Sequence, residues 1–69
     1  MFRYAAHRRV VISLKSGLAV SGVITRHRRG YCVVRDAEVI ESGGASASAD
    51  GEVLVQRVDI DYIQIPVGK

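Results

Sequence analysis

The sequence predicts an all-β fold: a small, strongly bent antiparallel barrel of five short strands. Three observations carry that expectation. Apolar β-branched runs alternate with polar residues at the two-residue period of a half-buried strand. Glycine-containing turns separate these runs at short intervals. And 69 residues with one cysteine allow a single domain with no intrachain disulfide.

The elements follow in order. Val10-Val11-Ile12-Ser13-Leu14 is the first strand, with Val10, Ile12 and Leu14 on one face and Val11, Ser13 and Lys15 on the other. Lys15-Ser16-Gly17 is a turn, Gly17 supplying the freedom to take positive φ. Ala19 to Arg26 is the second strand, on which Val20, Gly22 and Ile24 share a face. A glycine inside a strand marks a bend or a close backbone approach, as a tightly curved barrel requires. Arg26-His27-Arg28-Arg29-Gly30 is a short basic loop, and Tyr31 to Asp36 is a third strand with Cys32 and Val34 inward, its continuation towards Ile40 left open. Ser42 to Gly51, rich in Ser, Ala and Gly, reads as a flexible loop within the single domain spanning residues 1–69. Glu52 to Val58 and Ile60 to Ile65 are the last two strands, stopped by Pro66. The first nine residues, with Phe2 and Ala6 spaced for one face of a helical turn, leave a short helix and an irregular segment both open.

Charge is unevenly distributed. Residues 1–35 carry eight basic side chains and no acidic one, whereas residues 36–69 carry seven acidic side chains and two basic ones. The halves therefore hold +8 and −5, which sum to the net +3. A basic surface for nucleic acid and an acidic surface elsewhere is one reading; mutual neutralisation across strands is the other.

Small domains gain extra stability from disulfides, metals or oligomerisation. Cys32 has no partner, and no Cys/His cluster has metal-ligand spacing, so no metal or other cofactor is expected and oligomerisation is the remaining device. A hydrophobic content of 48% can supply both a core and an interface. No apolar run approaches a membrane span and no signal-peptide pattern appears, so no membrane partner is expected. With a single unpaired cysteine, these features fit a reducing, cytoplasmic setting.

Two segments carry a resemblance. Leu14-Lys15-Ser16-Gly17, then Val20, Gly22 and Ile24, then Val34-Arg35-Asp36-Ala37, resembles the first Sm motif. Gly51 to Ile63, ending Asp59-Ile60-Asp61-Tyr62-Ile63, resembles the second. The matches run in the family order and cover about residues 10–65 of the chain. The resemblance to Sm-like proteins implies an SH3-like barrel of five bent strands, with an optional N-terminal helix. It also implies a six- or seven-membered ring in which the fourth strand of one subunit pairs with the fifth of the next. A ring would cover the apolar edges Val53-Leu54-Val55 and Ile60 to Ile65, which otherwise invite association, with Tyr62 packing at the interface.

In the family, a pocket at the pore binds uridine. Here its Asp-x-x-x-Asn signature is absent, Arg28 and Tyr31 standing near the Asp and Asn places, and the usual Arg-Gly pair becomes Gln56-Arg57. The candidate RNA-binding residues are His27, Arg28, Arg29, Tyr31, Gln56 and Arg57. Guanidinium groups neutralise phosphates and stack on bases, and aromatic rings stack on bases with little sequence preference. Arg28 and Arg29 are assigned to phosphate, Tyr31 or His27 to base stacking, and Arg57 to a clamp. A solvated arginine-rich turn is the structural alternative. Arg3, Arg8 and Arg9 form a second basic group.

No catalytic constellation stands out, so the expected function is binding, with no enzymatic role. The leading reading is a ring that binds short single-stranded RNA, including U-rich segments, at a basic pore. A structural or assembly ring with protein partners is the alternative, and a monomeric SH3-like adaptor is a third.

Overall fold

The computed structural model describes residues 8–66. The question of an N-terminal helix, and the placement of Arg3, lie outside the described residues. The chain is all-β, with strands β1 (Arg9–Leu14), β2 (Ala19–His27), β3 (Tyr31–Ile40), β4 (Ser46–Ser48), β5 (Glu52–Gln56) and β6 (Ile60–Gln64). All pairings are antiparallel. The order is β4-β3-β2-β1-β6, with β5 also against β3.

The inward faces are those that the alternation predicts. Val10, Ile12, Ile24, Cys32 and Val34 are fully buried, and Val20, Ala37 and Val55 nearly so. They form one cluster, rimmed by Leu14, Val53, Ile60, Ile63 and Ile65. Burying a large aliphatic side chain contributes about 1.5–3 kcal/mol, so this short list accounts for much of what holds the barrel.

The bend sits at Gly22. A Cβ there would lie 2.5 Å from Val34 Cγ1 and 2.8 Å from the Arg35 carbonyl oxygen. Only glycine lets β2 and β3 approach so closely, and the register slips between Ser21 and Val23 opposite that point. On β3 the same corner is turned by Asp36, a non-glycine residue at φ 52°. Short polar side chains tolerate this conformation better than most. The Arg9 guanidinium steadies the corner by donating to the Asp36 carbonyl oxygen at 3.1 Å.

Three boundaries differ from the sequence expectation. The segment Ser42–Gly51 is not wholly loop. A turn closed by Gly44 N–H on the Glu41 carbonyl sends the chain back, and Ser46–Ser48 pairs with Glu38–Ile40 as a sixth strand. Backbone pairing needs no apolar side chain, so the Ser/Ala composition hid it. The fourth predicted strand stops at Gln56, because Arg57–Asp59 forms a 3-10 turn that crosses between β5 and β6. The basic loop is shorter than expected, since β2 continues through Arg26 and His27.

That 3-10 turn is held at both ends. At its start Arg57 N–H donates to the Gly30 carbonyl at 2.9 Å, and at its end Lys15 N–H donates to the Asp59 carbonyl at 2.8 Å. It therefore ties the β2–β3 turn to the β1–β2 turn.

Candidate functional site

The β2–β3 turn is reduced to Arg28-Arg29-Gly30. It is held by Arg28 N–H donating to the Tyr31 carbonyl at 2.7 Å, and the Arg28 guanidinium folds back to the His27 carbonyl at 3.1 Å. Exposed Arg28 and Arg29 stand at the tip.

Chain-distant residues join this turn. Tyr31 lies directly opposite Gln56 in the β3–β5 ladder, and directly opposed residues have Cβ atoms about 5 Å apart on one face. The Arg57–Gly30 hydrogen bond then brings Arg57 beside the arginine turn. The structure thus gathers Arg28, Arg29, Tyr31, Gln56 and Arg57 at one end of the barrel, and all five are exposed. Neither residues 26–31 nor residues 56–58 contain a carboxylate.

His27 is the exception. It pairs with Cys32, which in turn pairs with Val55, so it belongs to the inward-facing row at the open end of the barrel. Tyr31 and Gln56 belong to the outward-facing row. One base therefore cannot stack on both rings, and the two stacking candidates serve different faces of the hairpin.

Arg26 lies outside this cluster, one row further from the tip. In β2 it pairs with Val33, next along the outward face from Tyr31. Its signal was present in the charge run, but only the register assigns it a face.

Beyond the bend of β3 lies a shallow cavity of about 390 Å³, lined by Arg9, Asp36, Ala37, Glu38, Ser48, Ala49 and Asp50. Three carboxylates against one guanidinium, itself engaged by the Asp36 carbonyl, make this end unsuited to phosphate. Glu38 accepts a hydrogen bond from the Ser46 hydroxyl at 2.9 Å. Asp36, Glu38 and Asp50 thus gather with Arg9 beyond the bend of β3, away from the Arg28-Arg29 turn.

The apolar surface is also localised. Leu54 on β5, Val58 in the 3-10 turn and Tyr62 on β6 are 63%, 73% and 59% exposed. β5 pairs only with β3, and β6 only with β1, so each strand keeps an edge with no ladder partner among the described residues. No helix among the described residues is long and apolar enough to cross a membrane.

No protein-family model matches the sequence, and no curated protein does. Among solved structures, the chain is similar to the Sm protein of Pyrococcus abyssii, determined in complex with a uridine heptamer. The TM-score is 0.81 at 20% sequence identity, over 94% of this chain and 92% of that one. The chain has the Sm fold.

Proposed function

We propose that this Sm-fold chain closes into a homo-oligomeric ring and binds short single-stranded RNA at a basic pore. The observation that carries the binding reading is the composite site. The Arg28-Arg29 turn is hydrogen-bonded to the Arg57 backbone beside an exposed Tyr31–Gln56 pair, with no carboxylate in either segment. Such a site offers charge for phosphates, a ring for base stacking and an amide for base edges. The Pyrococcus protein, by its own complex with a uridine heptamer, supports the ligand class.

The ring reading is supported by the two open strand edges and the exposed Leu54, Val58 and Tyr62 beside them. An edge on β5 and an edge on β6 of the same chain suit a head-to-tail interface, and such an interface closes into a hexamer or heptamer when the rotation permits. Repetition around the axis turns one modest cluster into a basic annulus, in which several weak contacts add as avidity. The activity is binding without catalysis, and Cys32 serves as a buried core thiol in a reducing, cytoplasmic setting.

Two measurements test this. Native mass spectrometry of the protein as isolated should give six or seven copies; a monomer at micromolar concentration sinks the ring. Labelled oligo(U), oligo(A) and single-stranded DNA are then titrated at two salt concentrations. Binding should weaken steeply with salt. No binding at low salt rejects an RNA role and leaves the assembly ring, whereas equal binding to all three removes only a U preference.

A further inference from the structure

The register of the sheet places three further arginines on the outward face, in line with the proposed site. Arg26 pairs with Val33, which pairs with Leu54. One step further from the tip, Arg9 pairs with Val23, Val23 with Arg35, and Arg35 with Glu52. Directly opposed residues in an antiparallel sheet share a face, and residues two apart on one strand share it as well. Val10, Gly22, Ile24, Cys32 and Val34 are the buried inward set. The outward face therefore reads, from the tip, Tyr31 with Gln56, then Arg26, Val33 and Leu54, then Arg9, Val23, Arg35 and Glu52. In the sequence these arginines are scattered over 27 positions (Arg9 to Arg35) and look unrelated.

Two features mark this row as a surface for an anion. Among the described residues, neither the Arg26 nor the Arg35 side chain makes a hydrogen bond or ion pair. The single carboxylate in these three rows is Glu52, at their margin. The row also has a definite end. Past it stand Asp36 and Glu38, the acidic lining of the far cavity. From Tyr31 to Arg35 the strand advances about 14 Å, at about 3.4 Å per residue, enough for a few nucleotides of extended chain.

We propose that the outward face of β2 and β3 is a phosphate-binding track, on which Arg26 and Arg35 carry the backbone of a single strand away from the Arg28-Arg29 turn, whereas Arg9, turned to the Asp36 corner, stays out of it. The inference rests on the proposed RNA site and adds a direction and a length to it. Contacts to successive phosphates give affinity without base preference, so the track favours longer strands over any particular sequence. The strand stops where the carboxylates of Asp36 and Glu38 repel it.

The experiment compares a short and a long oligonucleotide. Fluorescently labelled U4 and U15 are titrated against the wild-type assembly and against Arg26→Gln/Arg35→Gln, two residues without side-chain partners whose replacement leaves the fold intact. U4 affinity should be unchanged. U15 affinity should fall about tenfold, with the salt slope of its binding flatter by about 1.4, or roughly 0.7 per lost phosphate contact. Unchanged U15 affinity and slope in the double variant overturn the track while leaving the loop site standing, and leave the row to an acidic protein partner. Equal losses for U4 and U15 overturn it too, by assigning these arginines to the loop site. Failure of the wild type to bind either strand rejects the RNA reading and the track with it.

Discussion

Replacing Gly22 by alanine should destabilise the barrel by overpacking the point where β2 and β3 touch. The new Cβ would sit 2.5 Å from Val34 Cγ1, 2.8 Å from the Arg35 carbonyl oxygen and 3.2 Å from Ala37 Cα. Val34 is fully buried, so its methyl has no solvent to swing into. The carbonyl belongs to the strand that turns at Asp36 and moves only if the corner opens. Overpacking of this kind costs about 1–3 kcal/mol. Alanine returns about 0.4–1 kcal/mol by restricting the unfolded chain, which leaves a net loss of about 1.3 kcal/mol at the middle of both ranges. For a domain of this size each kcal/mol moves Tm by about 4–8 °C, so the melting temperature should fall by roughly 5–10 °C. The assay is thermal denaturation followed by circular dichroism, at one fixed protein concentration because association raises apparent stability. Gly43→Ala is the control: nothing lies within 4 Å of its added Cβ, and a surface change of this kind stays within about 0.5 kcal/mol. Equal melting temperatures for Gly22→Ala and wild type would refute the claim that the sheet curls where β2 and β3 touch.

Three further outcomes are expected. Arg28→Ala/Arg29→Ala should weaken oligo(U) binding at low salt and flatten the slope of log affinity against log salt by about 1.4; an unchanged slope in an anisotropy titration would show that the turn does not touch phosphate. Leu54→Asp/Tyr62→Asp puts charge on two side chains already exposed in the single subunit. It should move native mass spectra from rings to monomers while the strand signal in circular dichroism persists, and persistence of the ring would relocate the interface. Burial pushes the Cys32 thiol above its ordinary 9.0. The folded chain therefore keeps this proton after the unfolded chain has lost it, so stability should decline as pH rises above about 9. Denaturation midpoints between pH 8 and 9.5 should show a decline that Cys32→Val flattens; identical slopes would remove the thiol as its source.

Binary pattern made the core legible. Val10 and Ile12, Val20 and Ile24, and Cys32 and Val34 follow the two-residue alternation, and each pair is buried in the fold. Gly22 was legible as a bend or a close approach because a glycine inside an apolar strand marks one or the other. Pattern failed at β4, whose Ser-Ala-Ser has no apolar face to bury. That strand exists because the Glu41–Ala45 turn aims the chain back along β3, where backbone groups pair regardless of side chain. It failed again at Val33, an outward-facing residue of β3 that is only 6% exposed, since alternation assigns a face but not what lies over it.

The candidate site divides along the same line. Residues Arg28, Arg29 and Tyr31 are neighbours in the chain, so their grouping needed no fold. Their meeting with Gln56 and Arg57 depends on the β3–β5 ladder, and the separation of His27 from Tyr31 depends on the shift of register between Ile24 and Arg26. By itself the sequence determined which residues turn inward, where the chain bends and which half carries which charge, because these follow from local alternation, backbone freedom and composition. Only the tertiary structure decided that Arg9, Arg26 and Arg35 share an outward face, and that Asp36, Glu38 and Asp50 gather away from the arginine turn. Those facts rest on pairing between strands distant in sequence, and a one-residue slip in register would move each side chain to the opposite face.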